Sequence, residues 1–369
     1  MERYDVVIIG AGPGGLASAI KAKELGLRYV IVEKGTMVLQ GIIDSYPRGK
    51  RVYPTMPKGE RGPFPIKDLE PSHEPVEEYV SKIHACVKDR KIAVHLGEGF
   101  QDIVEEEELQ VITDRHHYPT SHVVLAFGRN IPADLGVYGD AKTVARRLHH
   151  PEDHIGASTL VLGGGNAAAD IVAALSKAKR AAKDNTAVYW AHRREQFRVD
   201  KDVARDLGEE ILLGGHIRIL QEAIPIIGDV DKDGVDRLFI RTRDIDFDDG
   251  KKEHSGMSFP MKHVIACIGT KGPAPVFERL ELRQITSAQL GGKAAHAHKK
   301  GARLVVLSPA LETSTKGVYA IGAAISPAHA RMKEDGTLER QRHVDLIFSA
   351  VRDGVRAIEE IGQRQSRVL

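Results

Sequence analysis

The sequence predicts an α/β protein of two Rossmann-like parallel-sheet domains, the second inserted in the first. Three observations carry that expectation. A continuous apolar segment, Tyr4 to Ile9, runs into the glycine turn Gly10-Ala11-Gly12-Pro13-Gly14-Gly15. The same strand–turn–helix pattern begins again at Gly163, 153 positions after Gly10. Further apolar segments end on glycine near Gly128, Gly269 and Gly322.

A length of 369 residues allows two domains at roughly 150 residues each. Glycine is in excess, 36 of 369 residues against a usual frequency of about 7%, and much of it sits in these turns. With 42% apolar and 28% charged residues, the composition is that of a soluble globular chain and not a disordered one. A net charge of +2 provides no field to recruit nucleic acid or an acidic membrane. The two cysteines, Cys86 and Cys267, form no Cys-x-x-Cys, which excludes a disulfide-stapled domain and a cysteine-rich metal site. No basic, cleavable leader is apparent at the start, and no apolar run approaches the ~20 residues that span a bilayer. A cytoplasmic location is the expectation.

The first unit reads in order. Tyr4 to Ile9 has the all-apolar character of a strand covered on both faces. Leu16 to Leu25 follows as a small-residue helix, and Tyr29 to Val32 as a second strand closing on Glu33. Strand, glycine turn, helix, strand and terminal acid together give the pattern its specificity for a dinucleotide. Gly10 permits the tight turn, Gly12 the approach of a pyrophosphate, and Gly15 close helix–strand packing. Unpaired N–H groups at the helix start attract the phosphates, and Glu33 accepts the hydroxyls of an adenosine ribose.

The second unit repeats this grammar. Ser158 to Leu162 is its strand, Gly163-Gly164-Gly165-Asn166-Ala167-Ala168 its turn, and Ala167 to Ala182 its helix. The next strand, Ala187 to Ala191, ends in His192-Arg193-Arg194, with Arg198 close behind. A base thus stands where a ribose-binding acid would, and guanidinium groups pair bidentately with a 2′-phosphate. The site is read as selecting NADPH over NADH through Gly163, Gly165, Asn166, Ala167, Ala168, His192, Arg193, Arg194 and Arg198; the competing reading is a solvated basic turn. Leu109 to Asp114 belongs to a β-meander, with the acidic run Glu105 to Glu108 at its edge. Ser121 to Gly128, His263 to Thr270 and Gly317 to Gly322 are strands. A final helix carries Val344, Ile347, Phe348, Val351, Val355 and Ile358 on one stripe. Hinges at Ile131-Pro132-Ala133 and Lys271-Gly272-Pro273 divide the chain into 1–133 plus 274–369 and 134–273.

These motifs resemble the two-dinucleotide-binding-domain flavoproteins, in particular the thioredoxin-reductase-like branch with its three-layer ββα FAD/NAD(P)-binding domains. The resemblance rests on the N-terminal glycine turn with Glu33, Leu125–Arg129, Gly163–Asp170, His192–Arg198 and Gly317–Gly322. It implies FAD on the outer domain, held by Gly10, Gly12, Pro13, Gly14, Gly15, Glu33, Lys34, Gln40, Tyr46, Gly128, Gly322, Ala323 and Ala324. It also implies NADPH on the inner domain and a homodimer. Leu39-Gln40-Gly41 and Tyr46-Pro47 resemble the flavin-side loop of thioredoxin-reductase-like ferredoxin–NADP reductases, and bacillithiol-disulfide-reductase-like proteins carry a related Tyr-Pro loop.

Three departures stand out. Residues 134–160 contain no cysteine, so a dithiol relay to thioredoxin is impossible. Ala323-Ala324 follows Gly322 where the branch usually has Gly-Asp. Ile325 to Arg342 reads as a polar insertion whose Lys333–Thr337 segment lies near the flavin edge.

The chemistry so implied is hydride relay, with nicotinamide C4 held within about 3–3.5 Å of flavin N5; no catalytic side chain is obligatory. Tyr46 is either a flavin-packing ring or a buried turn tyrosine. The Ala323 and Ala324 amides are candidate stabilisers of charge on a reduced flavin. Cys86 and Cys267 read as small hydrophobes. His116-His117, His149-His150 with His154, and His296-Ala297-His298 read as surface histidines, with no metal. Arg48, Lys50, Arg51, Lys58 and Arg61 form either a docking patch for an acidic carrier such as ferredoxin or flavodoxin, or a solvated loop. Two functions follow: an NADPH-dependent FAD oxidoreductase serving a small redox protein or a low-molecular-weight disulfide, or a non-catalytic nucleotide-binding sensor or scaffold.

Overall fold

A computed structural model describes residues 3–366, apart from 47–48, 130, 140–143, 243–244, 247–251, 254 and 291–302. The chain divides into two compact units, Met1–Asp44, Arg51–Ile131, Lys271–Leu369 and Ser45–Lys50, Pro132–Thr270. Pro47, Arg48 and the histidines at 296 and 298 lie outside the described residues.

The first unit opens with β1 (Tyr4–Ile9), α1 (Pro13–Glu24) and β2 (Tyr29–Glu33). Pro13 sets the first helical turn and Gly26, at φ +72°, ends the helix, the usual asymmetry of the two residues. Then come α2 (Val76–Asp89), β3 (Val94–Leu96), β4 (Phe100–Glu105), β5 (Leu109–Thr113) and β6 (His117–Leu125). The sheet order is β3-β2-β1-β6-β5-β4. β1, β2, β3 and the second half of β6 pair in parallel, whereas the first half of β6 pairs antiparallel with β5. Glu105–Glu108 falls at the exposed β4–β5 turn.

The second unit comprises β7 (Thr159–Leu162), α3 (Asn166–Ala181), β8 (Val188–Ala191), α4 (Lys201–Leu212), β9 (Ile217–Leu220), β10 (Ile224–Val230), β11 (Asp236–Arg241), β12 (Gly256–Pro260) and β13 (Val264–Ala266). β9-β8-β7-β13 form a parallel sheet, and β10-β11-β12 an antiparallel one extended by Tyr138–Gly139. Alternation along β7 sorts the layers, as a period of two requires. Leu160 and Leu162 pack against Leu238, Ile240 and Phe259 of the antiparallel sheet. Val161 faces Ile171, Val172 and Leu175 of α3. The unit is therefore antiparallel sheet, parallel sheet and helix in three layers.

The chain then returns to the first unit with β14 (Gln284–Thr286), β15 (Arg303–Leu307), β16 (Val318–Ala320), β17 (Ala328–Met332), β18 (Leu338–Arg342) and α5 (Ile347–Ser366). β16 completes the large sheet beside β6, and β14-β15-β17-β18 form a separate sheet. The polar insertion expected at 325–342 is thus a β-hairpin, with Lys333–Thr337 as its turn. Ala328 and Ala330 turn inward onto Leu304 and Val306, too small an apolar signal to announce a strand. α5 buries Phe348, Val351 and Ile358, while Val344 precedes it. Its axis lies hard against α1: a Cβ on Gly354 would stand 2.5 Å from the Gly14 carbonyl. Among the described residues no helix is long and apolar enough to cross a membrane.

His154 departs from the surface reading. It is 7% exposed, its Nδ1 3.3 Å from that of His263. Nearby, the buried Lys179 ammonium donates to the carbonyls of His154 and Ala157, to Asp184 and to Thr186 at 2.6–3.0 Å. Burial, reinforced by the neighbouring His263, pushes the His154 pKa down to about 4. Below the ordinary value of 6.5 the unfolded chain binds a proton that the folded one refuses. The second unit is therefore expected to keep full stability above pH 6.5 and lose it as pH falls toward 4. Between pH 7 and 5 the loss from this group is about 2 kcal/mol. The fluorescence of Trp190, the single tryptophan, reports it in urea titrations. His154→Gln should lose about that much less over the same interval; an unchanged pH slope would show that His154 is not its source.

Candidate functional site

The glycines of the first turn divide by what the folded chain needs of them. Gly10 has φ +104°, and a Cβ there would meet the Ala126 carbonyl at 2.8 Å. A Cβ on Gly15 would stand 1.9 Å from the Gly10 carbonyl, and one on Gly14 3.1 Å from that of Ala350. Gly12 is different. Its φ is −76°, open to any residue, and no atom lies within 4 Å of its added Cβ. Neither strain nor internal packing requires glycine there, and the space beside it is open to an approaching group. Gly12 also caps α1 without a side-chain hydrogen bond, leaving the first-turn amides and the positive end of the helix dipole open to an anion.

Glu33 closes this cradle. It is 9% exposed, and its two oxygens accept the N–H groups of Ala11 and Gly35, each at 2.7 Å. Each oxygen retains acceptor capacity for a hydroxyl. Leu39, held at φ +61°, donates its N–H to the Ala11 carbonyl at 3.0 Å. Gln40 packs so closely that a Cβ on Gly35 would meet it at 2.6 Å, and its amide donates to Asp44 at 2.9 Å. Lys34 is exposed, and Gly128, at φ +70°, turns the chain just past β6.

Tyr46 belongs by contacts to the second unit. The Lys50 ammonium lies 4.6 Å from the centre of its ring and pairs with Asp170 at 2.8 Å. Lys50 is therefore committed to an ion pair rather than presented as part of a free basic loop.

The second turn repeats the division. Gly163, at φ +137°, would put a Cβ 2.3 Å from the Cys267 carbonyl, and one on Gly164 would strike the His192 ring at 2.6 Å. Gly165 has φ −117° and its nearest obstacle at 3.9 Å, again without an internal need for glycine. Ala168 is fully buried in the helix and Ala167 is exposed in its first turn. Asn166 is engaged with Asp200, donating to its carboxylate at 2.5 Å and accepting its N–H at 2.8 Å. The Arg198 N–H donates to the Gly164 carbonyl at 2.6 Å. Phe197 anchors the same segment on Trp190, ring centres 4.4 Å apart. The folded-back strand end thus sets Arg193, Arg194 and Arg198, all exposed, beside the glycine turn. None of the three forms an ion pair among the described residues. Partial burial and these three cations depress the His192 pKa.

Sequence reading missed Asp353. Beyond β16, Gly322 turns at φ +63° into the short 3-10 helix Gly322–Ile325, which carries Ala323 and Ala324. The Gly322 N–H donates to Asp353 of α5 at 3.1 Å. Asp353, 1% exposed, also binds His343 at 2.7 Å and Arg352 at 3.1 Å. Burial alone would raise its pKa, but His343 and Arg352 hold the carboxyl below its ordinary range. The acid absent at position 323 has no replacement in the turn itself; a carboxylate from the helix steadies the turn backbone instead. The available signal was a charge, Asp353, set between Val351 and Ile358 on a buried stripe.

The cysteines carry no nucleophile. Burial and then Asp68 raise the Cys86 thiol, and burial pushes Cys267 to about 12, so neither is a ready thiolate.

Two glycine helix starts, one per compact unit and each beside its own parallel sheet, leave their first-turn amides open to an anion. The family described as pyridine nucleotide-disulphide oxidoreductase matches residues 7–215, and the chain belongs to it. An uncharacterized oxidoreductase, CzcO, of Bacillus subtilis is 27% identical over 47% of this chain and 52% of its own length. A ferredoxin–NADP reductase of Limosilactobacillus fermentum is 29% identical over 53% and 56%. The chain thus spans about half the length of these relatives. A ferredoxin–NADP reductase of Streptococcus agalactiae is 23% identical over 87% of this chain and 85% of its own. The bacillithiol disulfide reductase of Staphylococcus aureus superposes with a TM-score of 0.72 at 17% identity, over 99% of this chain and 100% of that one. Thioredoxin reductase of T. acidophilum gives 0.68 at 17%, over 99% and 100%. The thioredoxin-reductase-like fold expected from the motifs is the one found.

Gly12→Ala should cost no more than about 1 kcal/mol, the loss of a glycine N-cap, while Gly15→Ala should cost more than about 4 kcal/mol or abolish folding. Denaturant titration of both variants checks this, and equal costs would contradict the steric division. Replacing Arg193 and Arg194 by Ala should raise the His192 pKa toward its ordinary value. An NMR titration of the His192 ring that showed no rise would remove the contribution of these cations and leave burial as the cause of the depressed pKa.

Proposed function

We propose that this chain is an NADPH-dependent FAD oxidoreductase that delivers electrons to an external acceptor, either a ferredoxin- or flavodoxin-like protein or a low-molecular-weight disulfide. The observation that carries the reading is the pair of glycines, Gly12 and Gly165, that the folded chain does not itself need. Each stands at a helix start beside a parallel strand. Both cradles fit a dinucleotide pyrophosphate by the same steric test.

In the first unit Gly12 and the α1 amides would receive the FAD pyrophosphate. Glu33 would accept the ribose hydroxyls while continuing to hold Ala11 and Gly35. The Ala323 and Ala324 amides, at the start of a short helical turn, would face developing negative charge. In the second unit Gly165 would admit the NADPH pyrophosphate, and Arg193, Arg194 and Arg198 its 2′-phosphate. FAD held in the first unit would supply the chemistry for hydride transfer from a reduced nicotinamide and for one- or two-electron release. The names of the relatives, ferredoxin–NADP reductase and bacillithiol disulfide reductase, support the two acceptor classes. With no Cys-x-x-Cys in the sequence and both thiols raised, electrons are passed without a protein dithiol.

Purified protein supplied with FAD should show flavin absorption, and anaerobic NADPH should bleach it. A chain that neither carries nor takes up FAD would reject the reading and favour the sensor or scaffold. Replacing Arg193 and Arg194 by Ala should raise KM for NADPH about 100-fold, two charge-assisted contacts' worth, and change that for NADH less than about threefold. Equal changes for both cofactors would refute the 2′-phosphate assignment.

A further inference from the structure

Within the first unit, β17, β18 and α5 border a solvent-open cavity of about 200 Å³. It is smaller than the roughly 300–1,000 Å³ of sites for drug-sized ligands. Four guanidinium groups line it, those of Arg331, Arg342, Arg352 and Arg356. Two imidazoles, His329 and His343, complete the polar wall.

The single carboxylate on that wall is Asp353, and its oxygens are already engaged by Gly322, His343 and Arg352. Arg352 also pairs with Glu60. Arg331 forms a long ion pair with Glu339, at 3.8 Å. Arg342 and Arg356 form no ion pair among the described residues. Burial, and after it the charge of Arg331, work against the Arg356 cation. Guanidinium groups do not escape such a field by losing a proton; Arg342 and Arg356 are exposed, so water or a counter-charge relieves it.

His329 supplies an independent sign. It is 4% exposed, and its Nδ1 has no hydrogen-bond partner. Buried ring nitrogens are ordinarily paired. Burial and the adjacent His343 lower its pKa to about 4, so at neutral pH the ring is uncharged and, with the proton on Nδ1, a donor without an acceptor.

We propose that this cavity is a binding site for a compact oxyanion, a phosphate- or carboxylate-bearing small molecule, held by Arg331, Arg342 and Arg356 with His329 donating to one of its oxygens. The site lies outside both glycine cradles and uses none of the residues assigned to the dinucleotides.

Isothermal titration calorimetry with pyrophosphate, and separately with citrate, tests this on protein kept in excess FAD and NADP⁺ so that dinucleotide phosphate sites are filled. At least one anion should bind saturably. Arg356→Ala and Arg331→Ala should each weaken it about tenfold or more, as expected for loss of a charge-assisted contact, with unfolding midpoints unchanged. Arg193→Ala with Arg194→Ala should leave it unaltered. Pyrophosphate alone would identify a phosphate source and citrate alone a polycarboxylate, each supporting the site. Binding of neither anion, binding indifferent to both cavity variants, or binding lost only with Arg193 and Arg194 would overturn it.

Discussion

The first unit depends on one close approach. With no Cβ on Gly15, α1 starts against the Gly10 carbonyl, where a methyl group would stand 1.9 Å away. That contact sets the helix on β1 and brings its amide-rich end to the strand's carboxyl edge. Everything at the cradle follows. Glu33 reaches the Ala11 and Gly35 N–H groups only because the turn is this tight, and Leu39 is held in its unusual backbone conformation by the Ala11 carbonyl. Strain of about 1–3 kcal/mol at such a residue persists only where its surroundings overdetermine it. Buried Leu39 is fixed from both its side chain and its amide.

The second unit uses the same geometry with different reinforcement. Cys267 abuts Gly163, Trp190 donates to the Gly163 carbonyl at 2.7 Å, and the Arg198 backbone closes on Gly164. Where the first cradle is tied by a carboxylate, the second is tied by main chain and an indole. Its strand end is consequently left free to display positive charge. The difference in second-strand chemistry, Glu33 against His192-Arg193-Arg194, is thus also a difference in how each turn is held.

α5 ties the first cradle to the Gly322 turn at the same carboxyl edge of the parallel sheet. Gly354 meets Gly14 on one side of the helix, and Asp353 supports Gly322 from the adjacent position. A single helical turn therefore touches two of the three glycine turns, one by absence of a side chain and one by a buried carboxylate. The Arg352 and Arg356 side chains of the same helix wall the cationic cavity. Replacing the acid usual after Gly322 by Ala323 is compatible with an ordered turn because the support comes from behind it.

Much was legible without coordinates because it is local. Strand–glycine–helix grammar, φ-demanding turns and a basic strand end are written within windows of a few residues, and the buried stripe of α5 follows from its period. The β17–β18 hairpin was not legible, since small and polar side chains carry little apolar alternation and β15 supplies the pairing. Nor was the burial of His154, which His263 and the Lys179 network bring about from distant positions, nor the capture of Lys50 by Asp170. By itself the sequence determined which backbone turns form and what charge each displays, because a missing Cβ and a strand-end residue act where they stand. Only the tertiary structure decided which acid supports Gly322 and which arginines face one another across a cavity, because a charge acquires partners when remote segments pack together.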